Sequence, residues 1–159
     1  KSGSLYCLSD NQLNIVEKNL GIPNTFIWSP DNSKFYFADT TDGSLLEYNF
    51  NLDDGSLSDK KVFFDFERGL PDGSTIDSEG YIWNCRWGGS CVVRIDPNGN
   101  IDQIYELPVE NVTNCVFGGS DLKTLYITTA FNEGKHQYDG SLFALNLTIP
   151  GLEDNKFKI

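Results

Sequence analysis

The chain has no methionine and one histidine, His136, and its 12 Lys and Arg are outnumbered by 23 Asp and Glu. The shortage of cations is the most restrictive of these. At a formal net charge of −11, the surface lacks the basic residues that displace counterions from a phosphate backbone, so a nucleic-acid partner is excluded. An anionic membrane surface is disfavoured for the same reason. Long apolar runs are also missing: no segment approaches the roughly 18 apolar residues of a bilayer-crossing helix, and the N-terminus has no signal-peptide apolar region. With one His and no CxxC pair, a Cys/His zinc site is not expected. A chain that opens Lys1-Ser2-Gly3 without Met has either had its start processed off or is a piece of a longer one.

What is present points to a packed domain. Apolar residues make up 39% and aromatics 13% of 159 residues, a length that suits one domain with a sizeable core and an aromatic content that disordered chains lack. The four cysteines are Cys7, Cys85, Cys91 and Cys115. Cys85 and Cys91 sit either side of a short hairpin. A disulfide there and two separate buried thiols are both open, and residue type favours the thiols. The compartment is read as reducing, hence cytoplasmic. Asn111-Val-Thr113 and Asn146-Leu-Thr148 match the glycosylation sequon, a match common by chance.

Three segments repeat. Pro23-Asn-Thr-Phe-Ile-Trp28 leads through Ser29-Pro-Asp31 to Lys34-Phe-Tyr-Phe-Ala-Asp39. Pro71-Asp-Gly-Ser-Thr-Ile76 leads through Asp77-Ser-Glu-Gly80 to Tyr81-Ile-Trp-Asn-Cys85. Thr113-Asn-Cys-Val-Phe117 leads through Gly118-Gly119 to Thr124-Leu-Tyr-Ile-Thr128. Each is a strand, a polar turn and a strand centred on an aromatic: Tyr36, Trp83 or Tyr126. A third strand opened by Gly-Ser follows at Gly43, Gly89 and Gly140, and Gly3-Ser4 begins a fourth copy. Outer strands are expected at Leu13–Glu17, Lys61–Phe66 and Asp102–Leu107. Short β-branched and aromatic strands with Asp-Gly, Asn-Gly and Pro-Asp punctuation mean an all-β chain.

Units of roughly 40 residues with four strands each are the period of propeller blades. The count is two strands in residues 1–20, four in each of the next two units and three in the last. This predicts a partial propeller of about three blades: the end of one blade (1–20), two complete blades (21–69 and 70–107), a blade lacking its last strand (108–150) and a C-terminal tail (151–159). A three-blade piece leaves sheet-packing faces open, so self-association is expected.

The innermost strand of a propeller blade lines the central channel. The repeat places Asn24, Asp72 and Asn114 near the entry of that strand in three successive blades, and such oxygen donors suit a hard divalent cation. Asn24 and Asp72 also read as ordinary turn residues, and Asn114 as either channel-lining or strand-capping. Arg86 and Trp87 are candidates for the rim of the mouth, with core packing as the alternative. His136 falls in a polar loop and reads as solvated.

The run Leu70-Pro-Asp-Gly-Ser-Thr-Ile-Asp-Ser-Glu-Gly-Tyr-Ile-Trp-Asn-Cys-Arg-Trp-Gly-Gly89 resembles one family closely. With Trp28-Ser-Pro-Asp-Asn-Ser-Lys-Phe-Tyr36, Val116-Phe-Gly-Gly119, Leu125-Tyr-Ile-Thr-Thr-Ala130 and Gly140-Ser-Leu-Phe-Ala-Leu145, it is similar to the senescence marker protein-30 / regucalcin / gluconolactonase group of sugar-lactone lactonases, in its bacterial branch. The resemblance implies a six-bladed β-propeller, of which this chain is the C-terminal portion. It also implies one divalent ion (Ca, Zn, Mn or Fe) held by Asn24 and Asp72, with Asp72 as general base in hydrolysis of a sugar (aldono) lactone to the aldonic acid. The family's further metal-ligating glutamate and its sugar-binding Arg and Asn belong to earlier blades. Glu17 and Glu79 match neither role. The competing reading is a non-catalytic metal- or sugar-binding segment, or a self-associating scaffold.

Overall fold

Thirteen strands form in chain order, each pairing antiparallel with its sequence neighbour inside one of four sheets. The computed structural model describes residues 1–9, 11–153 and 155–156, and no helix occurs among them. The first sheet holds β1 (Gly3–Ser9) and β2 (Gln12–Leu20). The second is β3 (Pro23–Trp28), β4 (Lys34–Asp39), β5 (Leu45–Phe50) and β6 (Leu57–Phe64). The third is β7 (Leu70–Ile76), β8 (Ile82–Trp87), β9 (Cys91–Ile95) and β10 (Ile101–Glu106). The last is β11 (Val112–Gly118), β12 (Thr124–Thr129) and β13 (Leu142–Asn146).

The two-four-four-three division matches the strand count read from the repeats. The outer strands differ in extent. β6 begins at Leu57, ahead of the expected Lys61, because Leu57 to Lys60 is too polar to register as strand in sequence, yet pairs with β5 through backbone bonds. β2 runs on to Leu20, whose side chain is buried. The expected tail lies partly outside the described residues. Its first residue, Gly151, donates its N–H to the Leu122 carbonyl, and just before it the Pro150 carbonyl accepts from the Ser78 N–H.

Apolar side chains separate into three cores, each shared by two neighbouring sheets. Leu5, Leu20, Phe35, Phe37 and Tyr48 pack between the first and second. Tyr36, Leu45, Phe64, Ile82, Val93 and Ile95 are among those between the second and third. Trp83, Val92, Val112, Phe117, Leu125 and Ile127 pack between the third and last. The alternation of facing residues along each strand makes this division: Tyr36 points to one core while its neighbours Phe35 and Phe37 point to the other. Inner strands β3, β7 and β11 lie side by side, β3 against β7 and β7 against β11.

The same alternation decides the cysteines. Cys85 pairs across the ladder with Val92, and Cys91 with Arg86. Opposed residues share a face and adjacent ones do not, so Cys85 and Cys91 face opposite cores. A disulfide between them is excluded by register, and all four cysteines are free thiols. Cys85, Cys91 and Cys115 are buried. A chromogenic disulfide reagent should therefore label at most the half-exposed Cys7 in the native protein and all four thiols in denaturant. A denatured titre of two would contradict this pairing.

Two buried carboxylates hold turns in place. Asp77, at the end of β7, accepts from the Glu79 and Tyr81 N–H groups, from Trp83 Nε1 (3.0 Å) and from Arg94 Nε (3.0 Å) and Nη2 (2.7 Å). Asp39, at the end of β4, accepts from the Gly21 (2.7 Å) and Ile22 (3.0 Å) N–H groups and from the backbone and hydroxyl of Thr41. Burial opposes ionisation of Asp39, but these donors outweigh it and hold the carboxyl well below the usual range. Asp39 thereby fixes the chain that enters β3.

Candidate functional site

Three ladder irregularities occur at one level of the molecule. Pairing of β3 with β4 skips Thr25, between Asn24 and Phe26. Pairing of β7 with β8 skips Asp72 and Gly73, between Pro71 and Ser74. Pairing of β11 with β12 skips Thr113, between Val112 and Asn114. Bulges re-aim side chains and leave backbone groups without ladder partners. Here they lie where the repeat placed Asn24, Asp72 and Asn114. Asp72-Gly73 is accordingly part of a strand, and the turn reading of Pro-Asp-Gly is corrected: glycine inside a strand marked a bulge.

The backbone groups that the β7 bulge frees are met from the neighbouring sheet. The Thr25 hydroxyl donates to the Asp72 carbonyl at 2.7 Å, and the Thr40 hydroxyl donates to the Pro71 carbonyl at 2.7 Å. Thr25 sits at φ 46°, the left-handed region that a β-branched residue rarely occupies. Its hydroxyl also lies 2.8 Å from Ser74 Oγ, which accepts from Asn84 Nδ2 at 2.8 Å. Neither threonine was picked out from the sequence. Both stand beside residues that were, but nothing in their spacing distinguishes them from ordinary loop threonines.

The carboxylate of Asp72 is partly buried. Burial raises its pKa, against the Gly73 N–H and the Asn24 amide, which favour the charged form. Asn24 donates from Nδ2 to Thr40 Oγ at 3.0 Å. Asn114 lies against the bare α-carbon of Gly73: an added Cβ there would come within 2.1 Å of Asn114 Oδ1. That oxygen also accepts from the Cys115 N–H at 2.9 Å, a bond made inside β11 rather than at its end. Asn24, Gly73, Ser74 and Asn114 share one cleft of about 280 Å³.

The other two candidates separate. Trp87 is 39% exposed and pairs with Leu70 at the end of the sheet where β7 enters, a place open to solvent. Arg86 is fully buried and does not reach a rim. Its guanidinium donates from Nε to the Arg68 carbonyl (3.1 Å), from Nη2 to the Phe66 (2.8 Å) and Gly69 (2.7 Å) carbonyls, and from Nη1 to Asn84 Oδ1 (2.9 Å). Burial pulls its pKa down to about 10. It stays charged at neutral pH and acts as a brace for the loop that delivers β7. Side chains alternate across β8, and Arg86 falls on the covered face while Trp87 lies beyond it. His136 is exposed in the β12–β13 connection.

The donor chemistry suits a hard cation: one carboxylate and two carboxamide oxygens from three successive inner strands, without sulfur or imidazole. Among the described residues no group of three or more His, Cys, Asp and Glu gathers, here or elsewhere, and Asp72 is the single carboxylate of this donor set.

Residues 1–131 match the family model described as the SMP-30/Gluconolactonase/LRE-like region. A pentonolactonase of Haloferax volcanii is 39% identical over 142 residues, 87% of this chain and 47% of the relative. A solved calcium-binding protein, regucalcin of Agrobacterium tumefaciens, superposes with a TM-score of 0.91 at 30% identity, covering 98% of this chain and 56% of that one. A gluconolactonase of Xanthomonas campestris gives 0.72 at 26% identity, covering 92% and 44%. The chain thus spans about half the length of the relatives it matches.

Proposed function

Because the chain belongs to the SMP-30/gluconolactonase/LRE-like family, we propose that it forms the C-terminal part of a six-bladed propeller that hydrolyses a sugar lactone to the aldonic acid with the help of one divalent cation. The observation that carries this reading is the line of three bulges beside Asn24, Asp72 and Asn114, with Asn24, Gly73 and Asn114 lining one cleft. Lactonase names among the relatives support the reaction class, and the calcium-binding description of a structural neighbour supports the cation.

Asn24 and Asp72 are the ligands in this reading, with Asn114 beside them. A bound divalent ion would polarise the lactone carbonyl and favour the charge that develops on its oxygen. Asp72 takes a proton from the attacking water, a role suited to a carboxylate whose pKa burial has raised. Trp87 offers an exposed indole at the mouth. Arg86 keeps the β7 entry loop, and so Asp72, in place. The substrate is a small cyclic ester of an aldonic acid.

The test is hydrolysis of gluconolactone and pentonolactones by the family-length protein. Activity should disappear on dialysis against a chelator and return with Ca, Mn or Zn salts. Chelator-resistant hydrolysis, or none at all, overturns the reading.

A second reading rests on exposed apolar faces. Tyr6, Leu8, Leu13 and Ile15 are exposed on the first sheet, and Val116, Tyr126 and Leu142 on the last. Either further blades or a second copy of the chain covers them. A 159-residue chain that runs as a monomer in light scattering would sink self-association.

A further inference from the structure

The Thr40 hydroxyl sits between Asn24 and β7, and hydrogen-bond arithmetic fixes what it does there. A hydroxyl has one proton to give. Thr40 gives it to the Pro71 carbonyl at 2.7 Å, an atom that can only accept. The group 3.0 Å away on Asn24 must then be a donor, which assigns that position to Nδ2. The carboxamide cannot turn over without setting its oxygen against a hydroxyl oxygen that has no proton left. Asn24 Oδ1 therefore points away from Thr40. It has no protein donor among the described residues and belongs to a residue that lines the cleft.

We propose that Thr40 is a positioning residue for the cation site: it locks the Asn24 amide with its oxygen toward the cation and, through the same hydroxyl, ties that amide to the strand carrying Asp72. The inference rests on Asn24 and Asp72 being the ligands. Thr40 is itself buried and held by its neighbours. Asp39 organises Gly21, Ile22 and Thr41 on both sides of it, and the Thr40 N–H donates to the Ile22 carbonyl at 2.9 Å. One hydroxyl thus joins two inner strands from different sheets at the level of the bulges. Partners that orient a metal ligand typically contribute a 10–100-fold effect on metal affinity.

The experiment is calorimetric titration of the family-length protein with calcium chloride, repeated with manganese chloride, well below each variant's melting temperature. Thr40→Val, which keeps shape and removes the hydroxyl, should weaken binding about tenfold or more. Thr40→Ser, which restores the hydroxyl, should return affinity to within about twofold of the parent. Melting curves without cation report whether Thr40→Val is folded, and the serine variant separates loss of the hydroxyl from general loosening. Asn24→Ala and Asp72→Ala decide the underlying reading. If both bind as the parent does, or the parent binds neither cation, the ligand assignment fails and this inference with it. If both lose binding while Thr40→Val keeps it, or Thr40→Ser binds as poorly as Thr40→Val, the ligands stand and the role of Thr40 is overturned.

Discussion

Asp72→Asn should lower kcat/KM for lactone hydrolysis by about a hundredfold or more in the family-length protein, while raising the melting temperature of the cation-free chain at neutral pH. The two effects have one origin. Burial makes the charged carboxylate costlier in the folded state than in the unfolded chain, and the Gly73 N–H and the Asn24 amide only partly offset it. A carboxyl whose folded pKa is raised contributes its full stability below its unfolded value, near 3.9. That contribution is lost as pH rises through the folded value. The amide variant carries no such ionisation. Its advantage in melting temperature should therefore vanish below about pH 4 and grow toward neutrality. A saturating divalent cation should raise the melting temperature of the parent and leave the variant unmoved. An Asp72→Asn protein that hydrolyses lactone at the parental rate, or that melts lower than the parent at neutral pH, is incompatible with this account.

Arg86→Met should be the more damaging change to stability. The substitution keeps an unbranched apolar stem but removes donors to the Phe66, Arg68 and Gly69 carbonyls and to Asn84 Oδ1. Buried acceptors without partners cost about 1–3 kcal/mol each. A loss of about 3 kcal/mol or more follows, or roughly 10 °C in melting temperature for a chain of this size. Arg86→Lys should recover only part of this, because one ammonium cannot serve carbonyls that lie in several directions. Chemical denaturation with a cost under about 1 kcal/mol for Arg86→Met would show that the loop keeps its shape unaided. Stability and hydrolysis should fall together here, whereas at Asp72 they move in opposite directions. That contrast distinguishes a brace from a reacting group.

These two residues also show where sequence reading works and where it stops. The strand number and order, and the level at which Asn24, Asp72 and Asn114 enter, were legible because they follow from a repeat in the positions of aromatic, Gly-Ser and Pro-Asp elements. Arg86 was not. Its neighbour Trp87 is open to solvent while Arg86 is sealed, and only strand register assigns their faces. The same holds for Cys85 and Cys91, whose hairpin spacing left a disulfide open until the ladder set them on opposite sides. Thr25 and Thr40 lie deeper still. Their hydroxyls serve carbonyls in a strand more than thirty positions away, a relation that local pattern cannot express. The start of β6 was missed for a simpler reason: its first residues take part through the backbone, and their side chains carry no strand signal.

The division of the interior into three cores has a consequence for cooperativity. Each core is shared by only two sheets, so coupling passes from neighbour to neighbour, as in a linear array. Damage to the first sheet, at Leu5 for instance, reaches one core and frays one end. Damage to β7–β10 reaches two cores at once and disconnects the last sheet from the rest. Arg86 and the Asp77–Arg94 pair both belong to that third sheet. Among the described residues both buried arginines thus sit at a link whose failure would divide the array, while the buried carboxylates are split between Asp77 there and Asp39 and Glu47 in the second sheet.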